Sequence, residues 1–70
     1  MKQRYITIIP VVHRRYGKKP EIVDFPAGTN VMITLYPDES FEAIYPRGFR
    51  DIGHTKAELD GMYRPFTSIN

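Results

Sequence analysis

Four cations crowd six residues of this chain. Arg14, Arg15, Lys18 and Lys19 surround Tyr16, with no acid among them. Like charges held this close repel one another, so folding stability does not account for them. A phosphate backbone or an acidic protein surface would neutralise the cluster, with counterion release in the nucleic-acid case. Tyr16 adds a ring that can stack on an unpaired base. The plainer explanation is solvation: hairpin tips are polar, and lysines keep strand edges soluble.

A second group is aromatic. Tyr36, Phe41 and Tyr45 fall on one side of a β-hairpin with Met32 if Tyr36 pairs with Phe41; Arg47, Phe49 and Arg50 follow directly. Exposed aromatics beside arginines make up protein-binding hot spots and also single-strand stacking platforms. A small domain needs its phenylalanines for core, which assigns Phe41 and Phe49 to structure. Tyr36 and Tyr45, with polar tips, are the surface candidates.

Reaction chemistry finds little to work with. Asp51, His54 and Glu58 are the types that ligate metals, but no His-Glu-x-x-His spacing fixes them, and Glu58 is better explained as a helix cap. His13 sits beside two arginines. The two serines, Ser40 and Ser68, lie outside any nucleophile elbow, and cysteine is absent. The glycines at 17, 28, 48, 53 and 61 are scattered and form no phosphate loop. A domain of this size also has difficulty enclosing a ligand pocket of ~300 Å³ or more. The expectation is a non-enzymatic protein with no metal and no cofactor.

Composition bounds the rest. Seventy residues make a single small domain spanning 1–70, and a chain this short buries only roughly 60% of its unfolded surface. With no cysteine, neither a disulfide nor a thiolate metal site can staple it, and a reducing compartment fits. A content of 41% hydrophobic and 26% charged residues suits a folded domain rather than a disordered one. The longest apolar-leaning run, Tyr5 to Val12, is far shorter than the ~20 residues of a spanning helix. The basic start, Met1-Lys2-Gln3-Arg4, is too short a run to read as a signal sequence, and His13-Arg14-Arg15 follows where a small-residue cleavage site would stand. These features predict a cytoplasmic protein without membrane attachment. Charge is unevenly spread: residues 1–35 carry six Lys or Arg against two acids (+4), and residues 36–70 carry four against six (−2).

Period-two patterning broken by proline and glycine predicts the elements that position these groups. Tyr5–Ile9 reads as a first strand that Pro10 ends, bulges or leaves at a sheet edge, with Val11 and Val12 able to resume it. Residues 14–20 read as a hairpin loop and Glu21–Phe25 as its return. A turn over 26–30 leads to the clearest strand, Val31–Tyr36. A four-residue turn, 37–40, then leads to Phe41–Tyr45. Pairing Tyr36 with Phe41 sets Thr34 against Ala43 and Met32 against Tyr45, and a slip of one residue would exchange the faces. Residues 47–54 read as a loop. Thr55 and Glu58 have capping-box spacing before a short helix over 56–60 that Gly61 ends. Phe66–Ile69 is a candidate last strand.

The fold class is therefore mainly β: an antiparallel sheet or an SH3-like or OB-like barrel of 4–5 short strands with one short C-terminal helix. A β-grasp fold or a plain meander is the rival. Two functions are consistent with these residues. The first is a protein-interaction module, an adaptor or inhibitor docking on a larger intracellular protein machine. The second is a nucleic-acid binder using the 14–19 loop and surface tyrosines. The modest net charge and the acidic second half favour protein over nucleic acid. An edge strand at Pro10 would permit a dimer without requiring one. The candidate binding residues are Arg14, Arg15, Tyr16, Lys18, Lys19, Tyr36, Tyr45, Arg47 and Arg50.

Overall fold

The computed structural model describes residues 2–67. Among the described residues the chain is mainly β, with seven strands and one short α-helix. Strands β1 (Lys2–Thr7), β4 (Asn30–Leu35), β5 (Phe41–Ile44), β6 (Arg50–Gly53) and β7 (Tyr63–Pro65) form one antiparallel sheet in the order β6-β5-β4-β1-β7. Strands β2 (Val11–Arg15) and β3 (Glu21–Phe25) form a separate two-stranded hairpin. Among the described residues the ladders make these two sheets, not one closed cylinder.

β1 ends at Thr7, earlier than the expected end at Pro10, and Val11 starts a strand that leaves the sheet. Pro10, with no N–H to donate to a ladder, stands in the short link where the chain changes layers. The turn after β3 is tied back to β1 by Thr7, a polar residue only 1% exposed. Its hydroxyl donates to the Pro26 carbonyl at 3.1 Å and accepts from the Thr29 amide at 3.1 Å, so its burial leaves no unmet polar atom.

The β4–β5 hairpin corrects the expected register. Leu35, not Tyr36, stands opposite Phe41, followed by Thr34 opposite Glu42, Ile33 opposite Ala43 and Met32 opposite Ile44. The cause is one residue in the turn. Glu39 takes φ +72°, and its amide donates to the Tyr36 carbonyl at 3.1 Å. That is a type I turn followed by a left-handed residue, which adds one position to the loop. The slip sends Val31, Ile33, Phe41, Ala43 and Tyr45 into the core and turns Met32, Thr34, Glu42 and Ile44 outward.

The segment expected to be a loop carries a further strand. Pro46–Gly48 is a tight 3-10 turn with Arg47 at φ +68° and Gly48 at φ +83°. It reverses the chain into β6 and drops Phe49 into the core at 5% exposure. Helix α1 (Lys56–Met62) begins where the cap spacing put it: the Thr55 hydroxyl accepts the Glu58 amide at 3.2 Å. Glu58 answers through its carboxylate to the Thr55 hydroxyl, not to its amide. Gly61 does not end the helix; Tyr63 does, turning to φ −136° and entering β7. The last strand is thus three residues earlier than expected, and the Ile69 end of the predicted one lies outside the described residues.

The core lies between the sheet's inner face, the β2–β3 hairpin and α1. Tyr5, Ile33, Phe41 and Tyr63 from the sheet meet Phe25 from the hairpin and Leu59 from the helix. Among the described residues no helix is long and apolar enough to cross a membrane.

Candidate functional site

Alternation in the β2–β3 hairpin decides which of its charges work on structure. Val11, His13 and Arg15 pair with Phe25, Val23 and Glu21 on the inward face; Val12 and Arg14 pair with Asp24 and Ile22 on the outward one. The inward row ends beyond the core, so Arg15 lies over the Phe49 ring with its guanidinium carbon 4.2 Å from the ring centroid. One guanidinium nitrogen donates to the Arg47 carbonyl at 3.0 Å and another reaches Glu21 at 3.4 Å. Arg47 comes from the 3-10 turn to the same carboxylate at 2.7 Å. Two guanidiniums therefore share one acid over one aromatic ring. Each ion pair is solvent-accessible and worth at most about 1 kcal/mol, while the stacking adds a cation–π contact of similar size.

The remaining cations of the cluster, Arg14, Lys18 and Lys19, are exposed and have no ion-pair partner among the described residues. Tyr16 is 80% exposed at the tip. The structure thus brings Arg14, Arg15, Tyr16, Lys18, Lys19 and Arg47 to one end of the molecule. Five cations there stand against two carboxylates, Glu21 between Arg15 and Arg47 and Asp24 opposite Val12, a local charge of +3 in a chain whose total is +2. Beside them the outward face of the hairpin shows Val12 at 55% and Ile22 at 65% exposure. These two are diagonal neighbours across the strands and flank Arg14.

The other predicted residues lie elsewhere. Arg50 is on the outer face of the five-stranded sheet, bonded to Glu42 at 3.1 Å. Tyr36, 46% exposed, stands on the wall of an open groove by the β4–β5 turn. Tyr45 is a correction: it is only 2% exposed, because the register slip turns it inward. Its hydroxyl lies 2.6 Å from that of Tyr63 in the core. The aromatic face expected from Tyr36, Phe41 and Tyr45 therefore does not form.

That same slip exposes residues the sequence reading passed over. On the uncovered face of the sheet Lys2, Arg4, Arg50 and Arg64 surround Met32, Ile44 and Ile52, and Glu42 is the one acid in those strand rows. Arg4 lies over the Phe66 ring at 5.3 Å. The correct register was the signal that would have found this face.

A polar group lies where the hairpin meets the sheet. His13, 9% exposed, is wedged among Phe25, Tyr45 and Phe49, with ring centroids at 5.8, 4.4 and 5.7 Å. Its Nε2 lies 3.2 Å from the Asp51 carboxylate but makes no hydrogen bond. Burial raises the pKa of both Tyr45 and Tyr63, so neither hydroxyl ionises readily in the fold. Asp51 turns to His13, and among the described residues no three His, Asp or Glu side chains converge as a metal would require.

Comparison with protein-family models, with curated proteins and with solved structures gives no match to this chain.

Proposed function

We propose that the protein is a non-enzymatic interaction module whose β2–β3 hairpin docks on an acidic, apolar-centred surface of a larger protein, as an adaptor or an inhibitor. The observation that carries this reading is the exposure of Val12 and Ile22 beside Arg14 and Tyr16. Lysines and arginines alone would suit any polyanion. Two β-branched side chains among them suit a protein surface, where an apolar and aromatic centre with an Arg anchor supplies affinity and a charged rim supplies steering. In this reading Lys18 and Lys19 form the rim. The inward turn of Phe41 and Tyr45 argues the same way, since it removes the aromatic platform on which bases would stack. The hairpin over the sheet is read as an open, SH3-like or OB-like arrangement, and the cysteine-free composition fits a partner in a reducing compartment such as the cytoplasm.

Two experiments decide it. With p-benzoylphenylalanine at position 16, irradiation in cells should trap one protein partner, and Arg14→Glu or Ile22→Asp should abolish the adduct. Fluorescence anisotropy against short single- and double-stranded DNA and RNA should show no binding that survives physiological salt. Persistent binding with a steep salt slope would replace the protein partner with a nucleic acid.

A further inference from the structure

At the opposite end of β5 from Phe49 the surface opens into a groove of about 430 Å³, within the range that holds ligands. This exceeds what the chain length led one to expect. Tyr5, Leu35, Leu59 and Pro65 supply its apolar floor and Tyr36 a wall. The lips are polar: Glu39 and Ser40 come from the β4–β5 turn, Lys56 and Asp60 from α1. Tyr5 and Leu59 are 6% and 8% exposed, so the floor is fixed by the core, while Tyr36 at 46% is free to meet a ligand.

The lips carry two carboxylates and one ammonium, against a molecule that is otherwise basic. Among the described residues neither Glu39, Asp60 nor Lys56 makes an ion pair. Lys56 and Asp60 are four apart on the helix, in the order that pairs less well. The two carboxylates are thus available to a cation from outside.

We propose that this groove binds an extended, proline-containing peptide segment carrying an arginine. Prolyl rings of a polyproline II ridge pack on aromatic walls such as Tyr36 and on apolar floors, and the ridge is already ordered before it binds. The arginine of the segment reaches Glu39 and Asp60, whose charge complements it. An acidic segment would meet the same carboxylates and be repelled.

The test titrates the full chain with a fluorescein-labelled peptide of six prolines ending in one arginine, and with a twin ending in glutamate. The arginine peptide should bind, the glutamate twin at least about tenfold more weakly. Tyr36→Ala should weaken the arginine peptide by about tenfold or more. So should the double variant Glu39→Gly with Asp60→Lys. Those substitutions were chosen to spare the fold: glycine suits the positive φ at 39, and a lysine suits the last turn of a helix. Tyr16→Ala should leave the affinity unchanged, which separates this groove from the hairpin surface. Amide shifts in the unsubstituted protein should gather on Leu35, Tyr36, Lys56 and Leu59. No binding at millimolar peptide, equal binding of the two peptides, unchanged affinity in the folded variants, or shifts confined to other residues would each overturn the proposal.

Discussion

His13 on β2 and Asp51 on β6 meet at 3.2 Å across the seam between hairpin and sheet. The two ends of this contact differ in environment. The Asp51 side chain is 38% exposed, whereas that of His13 is 10% exposed and held by three aromatic rings. Ring packing, not charge, therefore carries most of the contact. His13→Ala should cost about 2–4 kcal/mol through the cavity it leaves. Asp51→Ala should cost less than about 1 kcal/mol, as solvent screens it. Urea denaturation of both variants measures the difference, and equal losses would return the weight to the ion pair.

Alkali should unfold the protein through Tyr45 and Tyr63. Both have folded pKa values raised by burial above the ordinary 10.0. A raised pKa means that the neutral form is favoured by folding. The stabilisation is complete below about pH 10 and is lost progressively above it, by up to about 1.4 kcal/mol per pH unit for each group. Absorbance at 295 nm should show two of the five tyrosines ionising only as the fold is lost. Tyrosine titration complete before any loss of circular dichroism would contradict this.

Much of the strand content was legible because its pattern is local. β3 was read with its bounds, and β4 and β5 to within a residue, since alternating Val, Ile and Phe between proline turns leave few choices. The register was not legible. It depends on Glu39 adopting a left-handed φ, which a glutamate rarely does and no neighbouring residue announces. From that one residue followed the misplacing of Tyr45 on the surface. β6 was missed because Arg50-Asp51-Ile52-Gly53 has a glycine and an aspartate on its inner side, where a strand signal needs apolar residues. The basic hairpin was legible by charge alone, but its merger with Arg47 is a tertiary fact.

That glycine carries its own prediction. Gly53 stands opposite Phe41 in the β5–β6 ladder, and a Cβ on it would run into the Phe41 ring. The ring is itself 2% exposed and has nowhere to move. Gly53→Ala should destabilise by about 1–3 kcal/mol or more, seen as a fall in Tm, whereas Gly61→Ala, with open space around it inside α1, should stabilise by up to about 1 kcal/mol. The opposite signs of two Gly→Ala changes test the β6 placement directly, since an irregular loop at 50–53 would tolerate alanine.

The shared carboxylate of Glu21 offers the sharpest handle on the hairpin surface. It holds Arg15 at 3.4 Å and Arg47 at 2.7 Å, so it restrains two guanidiniums and cancels one of five positive charges. Glu21→Gln keeps the size of the side chain and removes that charge. Stability should fall by no more than about 1 kcal/mol, because the pairs are surface pairs, and Arg15 should stay stacked on Phe49. Association with an acidic partner should quicken, with most of the gain in the on-rate and a steeper dependence on salt. Surface plasmon resonance against the partner trapped from position 16, at two ionic strengths, would show it. A slower on-rate in a variant that remains folded would mean that Glu21 itself faces the partner and that the hairpin docks by a different side.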